Sequence, residues 1–433
     1  MFLATLLSLT SIAPAADDWP GWRGPGGSGV ASGSPPVEWS EEQNVRWKAP
    51  IPGRGSSCPV VWGQRVYVTT AMGTGNVADV QEEPTEGERR GRRPRPPIEE
   101  QDFLVIALDR SDGSEVWRRK VSTATPHQST HTDGNYASPT LATNGEVVIA
   151  SFGSFGIYAL TADGEPLWQT DLGDLTILMS FGEGSSPVLY GHTLVVNWDH
   201  EGESFLTALH TRTGEERWRV PRAAGTTWLT PTILTVGGKP QVVLPGYQTI
   251  AYDLETGKEL WSHGEPVGGR RGSGLISSAV QHEGLVLFST GARMGELRAL
   301  RPPAEDEANA ELVWVVEGDT PHVPSPIVVD GRLYVTKADS GILSAFDAAS
   351  GERLYGPERL QGVTTMYASP VAADGRLYLA GRDGTVEVVR IGEEIETLAV
   401  NELEDGFDAS PAIAGDELFL RGREYVYCIA EGR

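Results

Sequence analysis

A repeated unit constrains this chain more than any other feature of its sequence. Each copy begins with a small residue and proline, continues with an alternating apolar run, and ends with a glycine turn and an aromatic residue. The opening pair stands at Cys58-Pro59, Ser138-Pro139, Ser186-Pro187, Thr230-Pro231, Ser325-Pro326, Ser369-Pro370 and Ser410-Pro411, with Ser278-Ala279 in the same place. From Pro139 onward the copies are 48, 44, 48, 47, 44 and 41 residues apart. Four short strands fit such a unit, which is the size of one β-propeller blade.

Each part of the unit has a physical reason. Proline suits the start of an inner edge strand, because its missing N–H removes no sheet hydrogen bond there. The turn glycines supply a positive φ for the hairpin that follows the third strand. A tryptophan opens the outer strand in five copies, at Trp117, Trp168, Trp218, Trp261 and Trp314. Five large rings at one phase of a repeat predict a structural series in the core.

The two ends of the chain predict how the propeller closes. The last copy starts at Ser410 and has no room for an outer strand, whereas Asn44–Ala49 resembles the outer strands around Trp117 and Trp218. We therefore expect an all-β fold, an eight-bladed propeller of four-stranded antiparallel blades, with the N-terminal strand completing the last blade. The propeller would span residues 39–433 after an N-terminal extension at residues 17–38. Residues 73–101 form a mixed-charge, proline-rich insertion in blade 1 and are expected to be disordered.

Charge and the N-terminus limit the partners and the location of the protein. A net charge of −24 argues against nucleic acid and against an anionic membrane surface. Residues 1–16 are apolar and end in Ala13-Pro14-Ala15, a pattern typical of a cleaved signal peptide. No cysteine follows to carry a lipid, and no other segment is apolar enough to span a bilayer. We expect a monomer that is periplasmic or secreted.

Only two cysteines are present, so a disulfide framework does not hold this fold together. Cys58 starts blade 1 and Cys428 lies in blade 8, which would be its neighbour after closure. A disulfide across the seam is one alternative, and two buried free thiols are the other.

The motif Ala-x-Asp-x-x-Thr-Gly-x-x-x-Trp, nearly intact at Ala251–Trp261, resembles the repeat of PQQ-like propellers. That superfamily includes quinoprotein dehydrogenases and the barrel-assembly lipoprotein BamB. The opening Trp19-Pro20-Gly21-Trp22-Arg23-Gly24-Pro25 is similar to the start of an exported bacterial subgroup described as PQQ-binding-like. The resemblance implies the fold over residues 19–433 and says little about activity.

The chain departs from both branches of that superfamily. The dehydrogenases hold PQQ under a vicinal disulfide with calcium ligands below, and Cys58 and Cys428 are far apart in this sequence. We therefore predict no cofactor, although the fold leaves PQQ as an alternative. BamB carries a lipidation cysteine that this chain does not have after its apolar N-terminal run.

The loops that lead into the inner strands should gather at one mouth of the central channel. Their polar residues could bind a small anionic or polyol ligand, or they could line a solvated funnel with no ligand. The candidate ligand-binding residues are Arg54, His131, Asp133, Glu183, Arg270, Arg271, His322 and Asp408. A metal site from His127, His131, Asp133, Asp199 and His200 has no fixed ligand spacing, so no metal is predicted.

These features favour a non-catalytic exported scaffold that binds an envelope protein or a small polar ligand. Two enzyme classes remain as alternatives. One is a PQQ-dependent oxidoreductase, and the other is a carbohydrate-active enzyme that uses carboxylates at the channel mouth.

Overall fold

The computed structural model describes residues 15–77, 98–265, 274–291, 295–303, 308–318, 320–337 and 340–432. Within these ranges the chain forms eight four-stranded antiparallel sheets, which confirms the predicted eight-bladed β-propeller. Three short 3₁₀ turns, Pro25–Gly27, Gly153–Phe155 and Leu178–Ser180, are the helical elements of the described residues. None of the helical turns in these ranges is long and apolar enough to cross a membrane.

The strands follow the predicted order along the chain. Strand β1 (Val45–Pro50) comes first. Blade 1 contains β2 (Val60–Trp62), β3 (Arg65–Val77), β4 (Glu99–Asp109) and β5 (Glu115–Ala124). Blade 2 contains β6 (Ala142–Thr143), β7 (Val147–Ser151), β8 (Ile157–Thr161) and β9 (Pro166–Thr170). Blade 3 contains β10 (Val188–Tyr190), β11 (Thr193–Trp198), β12 (Phe205–His210) and β13 (Glu216–Pro221). Blade 4 contains β14 (Thr232–Val236), β15 (Lys239–Leu244), β16 (Thr249–Asp253) and β17 (Glu259–His263).

The second half of the chain repeats this arrangement. Blade 5 contains β18 (Val280–His282), β19 (Leu285–Ser289), β20 (Glu296–Arg301) and β21 (Glu311–Glu317). Blade 6 contains β22 (Ile327–Val329), β23 (Arg332–Lys337), β24 (Ile342–Asp347) and β25 (Arg353–Arg359). Blade 7 contains β26 (Val371–Ala373), β27 (Arg376–Ala380), β28 (Thr385–Arg390) and β29 (Glu396–Glu402). Blade 8 contains β30 (Ala412–Ala414), β31 (Glu417–Arg421) and β32 (Tyr425–Ile429), and β1 is its outer strand.

The seam lies where the sequence predicts it. Strand β1 pairs antiparallel with β32, which places Trp47 opposite Cys428 and Ala49 opposite Val426. The first and last strands of the chain therefore share one sheet, and blade 8 has four strands like the other blades.

The tryptophan series joins neighbouring blades. Each indole packs against the turn glycine of the next blade, in the pairs Trp47 with Gly113, Trp117 with Gly164, Trp168 with Gly214, Trp218 with Gly257 and Trp314 with Gly351. The indole N–H of Trp218, for example, donates to the Leu254 carbonyl of blade 4 at 2.9 Å. Trp261 differs, because its N–H donates to Gln241 within its own blade. The predicted structural role holds, and the contact explains why glycine and tryptophan recur together.

A closed ring of side chains surrounds the channel, and we call it the hydroxyl ring. The backbone N–H of each member donates to the side chain of the next, in the order Cys58, Thr140, Ser186, Thr230, Ser278, Ser325, Ser369 and Ser410, at 2.8–3.2 Å. The Cys58 thiol accepts from the Ser410 backbone N–H and closes the ring. These bonds satisfy backbone donors that have no sheet partner at the inner edge.

The hydroxyl ring corrects the repeat alignment in blade 2. The sequence pattern predicts Ser138-Pro139 as its opening pair, but Thr140 occupies the ring position, two residues before strand β6. The ring needs a side-chain hydrogen-bond acceptor at that point, and in this blade the proline lies two residues earlier relative to the ring position than in the other blades.

The N-terminal extension crosses the end of the channel opposite the mouth, which we call the lower end. Trp19 pairs with Val61 of blade 1, and Val30 pairs with Ala372 of blade 7. Arg23 is 1% exposed, and its guanidinium donates to the Pro326 carbonyl of blade 6 at 2.6 Å. The extension is thus tied to blades on both sides of the channel.

The insertion predicted at residues 73–101 is partly ordered. Strand β3 continues to Val77 and β4 begins at Glu99, and Val77 and Glu99 are paired across the hairpin. Residues 78–97, which hold the arginine and proline cluster, lie outside the described residues.

Candidate functional site at the channel mouth

The channel mouth opens into a cavity of about 410 Å³, which we call the upper cavity. It extends from the entry loops of the inner strands down to the hydroxyl ring and Trp22. Five of the eight predicted ligand-binding residues line it, namely His131, Asp133, Glu183, His322 and Asp408. The cavity has the size that small ligands occupy in proteins.

Arg382 organises the charges of the mouth. It lies in the turn between β27 and β28, and its guanidinium contacts Asp408 at 2.6 Å and Asp133 at 3.2 Å. Its guanidinium carbon also lies 3.9 Å from the ring centre of Tyr367. Although burial opposes ionisation of Asp133, its hydrogen bond with Arg382 and the arginine charge hold the Asp133 pKa below the usual value. Because Asp133 belongs to blade 2 and Asp408 to blade 8, Arg382 ties loops of three blades together.

An aromatic wall adjoins this charged network. The ring centres of Phe181 and Trp228 lie 6.3 Å apart, and His131 meets Phe181 edge-on at 5.4 Å. The Trp228 N–H donates to the Gly182 carbonyl at 2.6 Å, which fixes the indole in the wall. The cavity therefore offers one apolar side and one side of paired charges.

Glu183 differs from the other carboxylates of the mouth. Burial raises its pKa to about 7, and hydrogen bonds from Ser154 offset part of that increase. The Ser154 hydroxyl donates at 2.6 Å to one carboxylate oxygen, and its backbone N–H donates at 2.8 Å to the other. Glu183 thus changes charge near neutral pH while its position stays fixed.

Replacing Glu183 with glutamine is expected to change how stability depends on pH. Since the folded-state pKa is raised, the glutamate contributes most below the unfolded-state pKa, and its contribution falls as the pH rises to about 7. The free energy of unfolding of Glu183→Gln, relative to the parent, should rise between about pH 4.5 and 7. Urea unfolding across that range measures this difference. A flat difference across this pH range would contradict the assignment.

The remaining three predicted mouth residues are Arg54, Arg270 and Arg271. Arg54 is exposed and pairs through its backbone with Ala71, outside the residues that line the cavity. Arg270 and Arg271 lie outside the described residues.

The sequence analysis missed Arg382, Tyr367 and Trp228. The sequence does contain a signal for Tyr367 and Trp228, because the residue two positions before each hydroxyl-ring member lines the upper cavity. These residues are Ser56, Ser138, Gly184, Trp228, Ile276, Val323, Tyr367 and Asp408. In extended backbone, every second side chain points to the same side. Once the hydroxyl-ring position is known in each blade, the residue two positions earlier therefore identifies the wall of the upper cavity. Arg382 carries no such signal, since it belongs to a loop between the second and third strands.

The residues weighed as metal ligands do not converge. Asp199 pairs with Arg222 at 2.8 Å, and His200 accepts a hydrogen bond from the Thr176 backbone N–H. In the described part of the chain, no group of three or more histidine, cysteine, aspartate or glutamate residues could hold a metal ion.

Both cysteines are buried free thiols. Cys58 belongs to the hydroxyl ring, and Cys428 lies in β32 opposite Trp47. Burial raises the pKa of both thiols, to about 12 for Cys428. Of the two alternatives, the structure contains the free thiols.

Comparison with known proteins identifies the family. A family model described as outer membrane protein assembly factor BamB matches residues 98–227, 153–304 and 251–431. These overlapping matches extend over most of the propeller. The chain belongs to this BamB family. No curated protein matches the chain.

Solved structures from both branches of the superfamily share the fold. The quinohemoprotein alcohol dehydrogenase of Comamonas testosteroni is 13% identical, with 96% of this chain and 81% of that chain covered and a TM-score of 0.65. BamB of Moraxella catarrhalis is 14% identical, with 76% and 93% covered and a TM-score of 0.53. A europium-containing methanol dehydrogenase is 14% identical, with 94% and 89% covered and a TM-score of 0.51. Identities this low establish the fold shared with the BamB family, and not an activity.

Proposed function

We propose that this protein is a non-catalytic exported scaffold that binds a small polar ligand in the upper cavity. The observation that carries the proposal is the convergence of five predicted polar residues, the Arg382 network and the Phe181–Trp228 wall on one cavity of about 410 Å³. Apolar walls with a few fixed polar groups are typical of small-ligand sites.

The pairing of the charged groups supports ligand binding. Arg382 already pairs with both Asp133 and Asp408, and both oxygens of Glu183 accept hydrogen bonds from Ser154. Groups held in this way present fixed donors and acceptors, which orient a ligand with little loss of side-chain entropy.

The described residues do not fit PQQ as the quinoprotein dehydrogenases hold it. The only cysteine lining the upper cavity as described is Cys58, a free thiol bonded into the hydroxyl ring, so the vicinal disulfide has no counterpart there. The cavity carboxylates Asp133 and Asp408 are paired with Arg382, which disfavours their use as calcium ligands. We therefore assign no redox step to this cavity.

Export is part of the proposal and rests on residues 1–16. Their apolar run and Ala13-Pro14-Ala15 fit a signal peptide. Amino-terminal sequencing of the protein from its native host should find a new terminus close to Ala16, in a periplasmic or secreted fraction. An intact Met1 in the cytoplasmic fraction would refute export.

Ligand-observed NMR tests the binding site. A panel of polyols, dicarboxylic acids and amino acids should contain a class that binds, and Arg382→Gln should weaken it by at least about tenfold. Arg390→Gln is the matched control, because Arg390 is on the same blade and pairs with Glu396 at 2.6 Å on the surface. Absence of binding across the panel, or binding that Arg382→Gln leaves unchanged, would reject the upper cavity as the site.

A further inference from the structure

A second cavity of about 530 Å³ lies at the lower end of the channel, and we call it the lower cavity. It is bounded by the N-terminal extension and by the ends of the inner strands of blades 2, 3 and 4. Trp22 and Thr230 line both this cavity and the upper one. The two cavities therefore meet at Trp22 and Thr230.

The lining of the lower cavity is uncharged. None of the described residues that line it is aspartate, glutamate, lysine, arginine or histidine, although 22% of the chain is charged. A charged ligand would lose hydration there and find no counter-charge. The lining therefore selects a neutral ligand.

Three aromatic side chains give the cavity its apolar surfaces. Trp22, Trp62 and Tyr190 all line it, and Tyr190 is 46% exposed at its opening. The Trp62 ring is held in place against Gly145, where an added Cβ would lie 2.4 Å from the indole nitrogen. Fixed aromatic faces of this kind stack on flat apolar surfaces of a ligand.

Polar groups lie beside these aromatic rings. The Thr235 hydroxyl and the Gln281 amide line the cavity on exposed side chains, and the backbone of Gly26 and Gly27 borders it with open space where side chains would be. A purely apolar ligand would make no use of these donors and acceptors, whereas a ligand with hydroxyl groups could hydrogen-bond to them. A sugar ring combines an apolar C–H face with a hydroxyl edge and carries no charge. We propose that the lower cavity is a binding site for a neutral carbohydrate.

Calorimetry and saturation-transfer NMR with defined oligosaccharides test this proposal. The probes are maltotetraose, cellotetraose and xylotetraose, with tetragalacturonate as the anionic counterpart. At least one neutral probe should bind, and Tyr190→Ala and Gln281→Ala should each weaken it, by about tenfold for the tyrosine. Tyr247→Ala is the matched control, since Tyr247 is 45% exposed and does not line the lower cavity. Tetragalacturonate should bind at least about tenfold more weakly than the neutral probe.

Three results would overturn the proposal. The first is no binding of any neutral probe to the folded full-length protein at about 5 mM. The second is binding that neither Tyr190→Ala nor Gln281→Ala weakens, and the third is equal affinity for tetragalacturonate. Arg382→Gln should leave this binding unchanged, so a loss in that variant would place the sugar at the mouth and also reject the lower site.

Discussion

A chain that lacks residues 39–50 will not unfold cooperatively. Those residues contain β1, the outer strand of blade 8, whose partner β32 would become an open edge. They also contain Trp47, which is 7% exposed and donates to the Arg110 carbonyl of blade 1 at 2.9 Å. The deletion therefore removes the strand pairing of the seam and the contact between the last and first blades. Scanning calorimetry should show no single sharp transition, and size-exclusion chromatography should show association.

A second deletion is the control. It tests whether removing another segment of the chain also prevents cooperative unfolding. Replacing residues 78–97 with a short glycine-containing turn joins strands whose ends, Val77 and Glu99, are already paired. This variant should melt like the parent. The seam would not be essential if the chain without residues 39–50 also melted like the parent.

Alanine at Gly257 is expected to destabilise the protein by about 2–5 kcal/mol. Gly257 has a φ of 70°, and an added Cβ would lie 2.6 Å from the ring of Trp218. The backbone conformation costs an L-residue about 1–2 kcal/mol, and the forced displacement of a packed ring adds about 1–3 kcal/mol. Trp218 is buried and hydrogen-bonded to Leu254, so it has little room to move.

Gly375 provides the matched control for this prediction. Its φ is 69°, but nothing lies within 4 Å of an added Cβ. Gly375→Ala should therefore lose only the backbone contribution of about 1–2 kcal/mol. Urea unfolding of the two variants measures the difference. Equal losses would mean that the tryptophan–glycine contact does not hold neighbouring blades together.

The blade count and the closure could be predicted because every copy of the repeat has to meet the same physical requirements. Each copy needs an inner edge, a tight turn and a large ring against the next blade, so an error in one copy is outweighed by the others. Trp47 could be assigned to an outer strand before blade 1 because it has the phase of Trp117 and Trp218.

Blade 2 shows where the pattern was misleading. Proline is easy to see in a sequence, but the hydroxyl ring depends on a hydrogen-bond acceptor, and Thr140 supplies it one residue after Pro139. The ring also defines the start of each copy better than proline does, since Ser278 is a ring member with alanine after it.

The candidate site was only partly visible in the sequence. Loop position placed His131 and Asp408 at the channel mouth, and both line the upper cavity. The pairing of Arg382 with Asp133 was not predictable, because it joins distant blades through loops whose directions depend on the closed ring. The Phe181–Trp228 wall likewise requires two blades in contact.

Titration of PQQ into the purified full-length protein, with and without calcium, tests the central claim most directly. A non-catalytic scaffold, with Asp133 and Asp408 paired with Arg382 and Glu183 bonded to Ser154, should give no stoichiometric heat of tight binding in either condition. One-to-one binding with a dissociation constant below about 1 µM, together with oxidation of an alcohol by the loaded protein, would contradict the account.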